Sequence, residues 1–354
     1  MLTEPIASPA SAHPGLVLAP GPHGRCDDFR VGGAVVHHDP ADGRWWMWYY
    51  CRNHEYDRPA PQTLGSGRIA LATSADGIAW ERVDGPLELG SVMIPAAAPD
   101  RFDCGHIGLT DVTRDDAGWR MWYFGGALDV VRTGKPLLGD MPGLAMRIGQ
   151  ALSTDGTTWR RVPGRQADGA LFDILPDELY AAWPNAIPQG HRTLLQYTAP
   201  THDMDAYRTR VVAVAPDGAV TRLGDLQWLD GASSYDVGGI VTRHVIASPL
   251  PGTTGWVMIY TALDAEHGRS IGIAGSEDGI GWRHLTDRPI LVPGSPGDWD
   301  DCGVAANRLV VAGDRLYLYY YGFRSLTATD APRGIGLAIA DIADPFRFRR
   351  VGTA

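Results

Sequence analysis

Several features are missing from this chain, and each absence excludes a class of protein. There are four cysteines (Cys26, Cys51, Cys104 and Cys302) and no CxxC spacing, so neither a zinc ribbon nor a thiol–disulfide motif is encoded. Positive charge is short: 31 Lys and Arg face 41 Asp and Glu, a formal net charge of −10. That balance argues against nucleic acid, polyanions or an acidic membrane surface as partners. No apolar run approaches the roughly 18 residues that a spanning helix needs. Residues 1–25 hold neither a basic start nor an uninterrupted apolar stretch, so no secretory signal is visible and a cytoplasmic protein is expected. Helical periodicity is missing too.

What is present is turn-forming and aromatic. Among 354 residues there are 44 Gly, 26 Pro, 12 Trp and 13 Tyr, a composition of many turns and many aromatic strands. Hydrophobic residues make up 44% and charged residues 20%, enough for a sizeable core and against global disorder. Residues 1–14 are rich in Pro, Ala and Ser and read as a flexible tail ahead of a single domain over 15–354.

The domain repeats itself. Each of Pro20, Pro95 and Pro293 is followed eight positions later by an Asp, namely Asp28, Asp103 and Asp301. Ser-x-Asp-Gly-x-x-Trp recurs as Ser74–Trp80, Ser153–Trp159 and Ser276–Trp282, a tight hairpin turn whose Trp packs between neighbouring units. Five segments share one grammar of short alternating runs divided by turn dipeptides: about 28–92, 103–175, 178–229, 236–290 and 301–351. Repeated antiparallel meanders of this length predict an all-β fold, a five-bladed β-propeller of four-stranded blades. Residues 15–20 (GLVLAP) match the runs before Pro95 and Pro293, which predicts that they complete blade five and close the ring.

In a propeller the first strand of each blade lines the central channel. Acids stand at the head of that strand in every segment: Asp28, Asp103, Glu178 beside Asp177, Asp236 and Asp301. The 75-residue interval from Asp28 to Asp103 is repeated from Asp103 to Glu178. Convergent carboxylates repel and push some pKa values upward, as acid/base chemistry requires, and glycoside hydrolysis uses such pairs. Asp27 and Asp300, one residue earlier, are expected to face away and serve the turns.

The run P-G-x-x-G-x-x-D-D, the strand RLYLYYYG and the S-x-D-G-x-x-W turn give the chain a resemblance to the five-bladed β-propeller glycoside hydrolases, the superfamily of families 43, 32, 62, 68 and 130. The WMNDPNG, RDP and EC motifs of family 32 are absent. Carried over by position, the resemblance implies Asp28 as base or nucleophile, Asp103 as transition-state support and Glu178 as acid, with Asp236 the rival acid. Substrate-binding candidates on the same strands and adjoining loops are His106, Asp111, Trp183, Asp236, Asp301, Arg52 and Arg324, with Asn185, His54 and Tyr56 nearby. The expected ligand is a small glycoside or oligosaccharide.

Three other readings use the same scaffold: a phosphorylase or transglycosylase, a lyase or cyclase acting on a small product, and a non-catalytic binding propeller. A phosphorylase needs a basic cluster, for which Arg52, Arg208 and Arg324 are the candidates. No cofactor or metal is predicted. Carboxylates in the channel would suit a Ca²⁺ ion in chemistry alone, and the cysteines read as small buried side chains.

Overall fold

A computed structural model describes residues 13–54, 67–133, 140–204, 207–324 and 333–352. The expected tail therefore lies almost wholly outside the described residues, as does Tyr56. Among the described residues the only helical element is a 3₁₀ turn at Glu88–Gly90. Five antiparallel sheets form the five blades of a propeller. Their innermost strands are Arg30–His38, His106–Asp115, Ala182–Gln189, Gly239–Ala247 and Gly303–Ala312. In blades one, two and three the order runs outward without interruption, for example Arg30–His38, Trp45–Arg52, Arg68–Ser74 and Glu81–Val83 in blade one. Blade four adds Gln227–Trp228, parallel to its outer strand Gly281–His284. Blade two carries an extra hairpin, Val130–Arg132 with Asp140–Pro142.

Residues Leu16–Leu18 pair antiparallel with Arg333–Asp341 of blade five. The runs before the other two prolines take the same place: Met93 bridges to Ile69 and Leu291 to Ile271, each on the third strand of its blade. The N-terminal run thus does for blade five what the linkers do for blades one and four.

Apolar residues fill the seams between blades rather than one central mass. Val31, Met47 and Ala70 of blade one pack on Tyr319 and Leu337 of blade five, and equivalent clusters fill the other four seams. Burial of such side chains contributes about 1.5–3 kcal/mol each. The Ser-x-Asp-Gly turn is the polar clasp of these seams. In its first copy Asp76 Oδ1 accepts the N–H groups of Ile78 and Ala79, and Ser74 Oγ accepts that of Gly77. The turn glycine, at φ 75°, 76° and 78° in the three copies, then presents its carbonyl to the preceding blade. Tyr319 Oη donates to Gly77 O at 2.6 Å, Trp48 Nε1 to Gly156 O at 2.8 Å, and Gln196 Nε2 to Gly279 O at 2.8 Å.

Candidate functional site

In blades one and five the acid at the blade start lies one residue before the expected one. Five carboxylates sit in one repeated bracket, and they are Asp27, Asp103, Glu178, Asp236 and Asp300. Each accepts a hydroxyl from a tyrosine on its own blade's second strand: Tyr49 at 2.8 Å, Tyr123 at 2.9 Å, Tyr197 at 3.1 Å, Tyr260 at 2.9 Å and Tyr320 at 2.9 Å. Each also meets an arginine or histidine side chain. Arg82, Arg161, His284 and Arg350 come from the outer strands of blades one, two, four and five at 2.6, 2.6, 2.7 and 2.9 Å, while Arg210 of the third strand meets Glu178 at 3.0 Å. In three blades that arginine also donates to the carbonyl before the linker proline, at Ala19, Ile94 and Val292. In blades one, two and five the bracket thus ties the blade's rim to the linker before it. Each is bonded within its own blade, and Asp27 and Asp300, expected to serve turns, are members of the set. A bare repeat of Pro and Asp does not distinguish Asp27 from Asp28. Consecutive side chains point to opposite sides, so one residue decides which acid is the strut.

Asp28 and Asp301 are the acids left over. Asp301 accepts the N–H of Gly297 at 2.8 Å, and Arg324, exposed, acts electrostatically on it. Asp28 is buried and accepts Gly24 N–H at 2.9 Å, His54 N–H at 2.9 Å and the His54 ring at 3.2 Å. Burial alone would raise its pKa, but these donors outweigh it and hold the carboxyl below its ordinary value. Asp28 is an ionised carboxylate at neutral pH.

Asp111 lies deeper in the channel, buried, with Asn185 Nδ2 at 2.9 Å, Ala186 N at 2.8 Å and the Arg308 guanidinium in direct contact. Asn185 Oδ1 accepts Val245 N–H, Arg308 donates to Val36 O, and His244 Nδ1 accepts Leu309 N–H. All five inner strands join this network, which closes the channel below its mouth. Asp111, expected to bind substrate, is part of a floor.

The mouth above it is lined by cations and aromatics. Arg30 pairs in register with Arg52 on blade one, and Arg333 pairs with Phe323 on blade five. The guanidinium of Arg333 stands 6.0 Å from the Phe323 ring centre and that of Arg269, from blade four, 5.6 Å. Arg333 also donates to Tyr321 Oη at 2.8 Å. Arg30 is buried and packs 4.8 Å from the Phe29 ring, which in turn lies 4.6 Å from the His54 ring in a tilted contact. Burial, then repulsion from Arg333 and Arg52, pulls the Arg30 pKa down to about 10. Burial likewise lowers Arg269, with Arg333 adding to it. His106, on blade two, is buried with its ring at 2.8 Å from Gly143 O, and burial drops its pKa to about 4, so it is neutral.

Blade three contributes an aromatic wall. Trp183 packs on Phe124 at 5.4 Å and on Tyr180 at 5.8 Å. Its φ is 51°, left-handed, at a bulge in the strand. A bulky residue held there carries strain of the kind that clusters at functional sites. Arg52, His106 and Trp183 thus belong to one rim, and Asp28 adjoins it through His54, Phe29 and Arg30. Asp103, Glu178, Asp111 and Asp236 do not. Three rim residues, Arg30, Arg269 and Arg333, were missed by the sequence reading. A signal existed, since Arg heads the third strand as Arg68, Arg269 and Arg333. A cleft of about 870 Å³ lined by Trp46, Arg44 and Asp76 lies on the outer part of blade one, apart from the rim.

The cysteines are divided: Cys26 and Cys51 are buried, Cys104 is half-buried and Cys302 exposed, which corrects the expectation for the last two. No helix among the described residues is long and apolar enough to cross a membrane.

No family model matches the chain. A stretch of 113 residues is 35% identical to Uncharacterized protein MT1551 of Mycobacterium tuberculosis, covering 30% of this chain and 37% of that one. Among solved structures, a glycosyl hydrolase from Bacteroides ovatus superposes with a TM-score of 0.62 over 97% of this chain and 98% of its own, at 15% identity. The β-1,2-mannobiose phosphorylase from Listeria innocua, in complex with β-1,2-mannobiose, gives 0.61 over 92% and 95% at 13% identity. The fold is thus a five-bladed propeller shared along nearly its whole length with these structures.

Proposed function

We propose that the protein is a carbohydrate-active enzyme that cleaves a glycosidic bond of a small glycoside or oligosaccharide at the channel mouth. The observation that carries this reading is the rim itself. An ionised, buried carboxylate, Asp28, reaches the buried Arg30 through His54 and Phe29, on a rim that also carries the strained Trp183 and a scaffold shared end to end with glycoside-processing enzymes. Trp183 and Phe124 offer ring faces to a sugar, Arg52 offers donors to its hydroxyl groups, and His106, whose N–H goes to Gly143 O, offers an acceptor.

Asp28 is the base. As a water oxygen bonds to the anomeric carbon and the glycosidic C–O bond breaks, the water proton passes to Asp28. The leaving oxygen takes a proton from solvent, and Asp28 returns its own to solvent, so the proton count is unchanged. Asp103 and Glu178, bonded to tyrosine and arginine, hold the scaffold. The arginines favour a second reading in which phosphate replaces water as the nucleophile.

The test is turnover of a panel of aryl glycosides and disaccharides, with and without phosphate, by wild type and Asp28→Asn. Loss of roughly 10²–10⁴-fold in the variant, with its melting temperature kept, supports the assignment. No turnover of any glycoside by folded wild type would sink it and leave a binding propeller.

A further inference from the structure

Arg30, Arg269 and Arg333 form a cationic cluster without anionic partners among the described residues. None of the three makes an ion pair with any carboxylate among the described residues, although Asp and Glu outnumber Lys and Arg along the chain. The buried nitrogens Nε and Nη2 of Arg30, Nε of Arg269 and Nε of Arg333 have no hydrogen-bond partner. Arg30 itself is 7% exposed. The three come from blades one, four and five; Arg269 and Arg333 stand over the Phe323 ring and Arg333 also over Tyr321, while Arg30 stands over Phe29, and Arg333 acts electrostatically on both others.

Such an arrangement is costly in an empty protein. Each guanidinium loses hydration, and each repels its neighbours in a medium of low dielectric. Other third-strand arginines show the usual solution: Arg68 pairs with Glu88, Arg147 with Asp173 and Arg208 with Asp177. Arg269 and Arg333, at the same strand position, have no acid partner among the described residues.

We propose that this cluster is a subsite for an oxyanion, phosphate or carboxylate, which the substrate carries or which enters beside it. Guanidinium forks match such oxygens two at a time, and two or three of them neutralise a doubly charged group. The Tyr321 hydroxyl, bonded to Arg333, lies at the same place. The inference rests on the channel mouth being the functional site, and it narrows the substrate class to anionic glycosides, or to neutral glycosides cleaved with phosphate.

Thermal unfolding and titration calorimetry on the full chain test it at constant ionic strength set with chloride. The probes are inorganic phosphate, glucose 6-phosphate and glucuronate. At least one of them is expected to raise the melting temperature of wild type and to bind. Arg269→Gln and Arg333→Gln are expected to weaken that binding roughly tenfold or more while melting, without anion, no lower than wild type, since each removes a repelled charge. A purely structural role predicts the reverse, a lower melting temperature and an unchanged anion response. Binding of inorganic phosphate marks a co-substrate; response to the sugar-linked anions alone marks a group on the substrate. No stabilisation of wild type by any probe beyond chloride overturns the proposal. Should a Gln variant fail to fold, Arg333→Lys, which keeps the charge and loses the fork, is expected to bind more weakly, and equal binding would overturn the proposal. Anion binding without any glycoside turnover would leave the subsite standing and remove the enzymatic reading alone.

Discussion

Arg308 of blade five reaches across the channel to Asp111 of blade two, and this buried ion pair is the centre of the network that ties all five inner strands together. The contact explains how a ring of separately folded sheets gains a fixed floor. Seams between blades are apolar and tolerate sliding, whereas a charged pair bonded to Asn185, Ala186 and Val36 admits one arrangement. The mouth above can then be lined with strained and mutually repelling groups without the ring opening.

Breaking the pair from one side should therefore be severe. Asp111→Asn leaves Arg308 buried without its partner, and about 3 kcal/mol or more of stability should be lost. Combining it with Arg308→Met should cost less than the two single changes added together. Denaturant unfolding of the four proteins checks this, and an Asp111→Asn variant within about 0.5 kcal/mol of wild type would contradict it.

The rim brackets make a second expectation, concerned with which acid does what. Asp103 is locked to Tyr123 and Arg161, so Asp103→Asn should lower the melting temperature and leave kcat of the surviving folded protein nearly unchanged. Asp28→Asn should behave the opposite way, with a large fall in kcat and a smaller effect on melting. Measuring both quantities on both variants separates strut from catalyst. Equal kcat losses would return Asp103 to the chemistry.

Much of this molecule could be read before folding because its rules are local. The Asp-Gly turns fix φ at their glycines, alternating runs fix strand faces, and the likeness of residues 15–20 to later linkers points to the closing strand. What escaped was decided by single-residue register and by distant convergence. Asp27 and Asp28 are adjacent and alike in sequence, yet only the former faces Tyr49 and Arg82. Arg30, Arg269 and Arg333 are separated by up to 303 residues and meet only because three blades bring their strand ends to one rim. The extension of Ser-x-Asp-Gly-x-x-Trp to a basic residue two places on, at Arg82, Arg161 and His284, was legible and would have revealed the brackets.

Acid should destabilise the protein through its buried histidines. Burial holds His106 and His37 down to about 4 and His244 well below the ordinary 6.5, so all are neutral when folded. The unfolded chain takes up protons near pH 6.5, and the folded one resists until the lower values are reached. Stability is thus complete above pH 6.5 and falls as pH drops toward 4, by about 1.4 kcal/mol per pH unit for each histidine in that window. Urea unfolding at pH 7, 6 and 5 reads the slope. His106→Gln should reduce it by about one proton, and an unaltered slope would remove His106 from the account.

Trp183 offers the sharpest test of strain at the mouth, because two truncations of it differ only in backbone freedom. Trp183→Ala and Trp183→Gly both delete the ring contacts with Phe124 and Tyr180. The alanine retains a Cβ at φ 51°, which costs about 1–2 kcal/mol, and the glycine does not. In an ordinary strand glycine is the worse of the two by about 0.5–1 kcal/mol. Here the order should invert, with the glycine variant the more stable, while both lose turnover because the aromatic face is gone. If the alanine variant proves the more stable, the strand has relaxed and the left-handed bend is imposed by the indole itself. Inversion would instead show that the surrounding blades impose the bend and hold Trp183 at the mouth against its own preference.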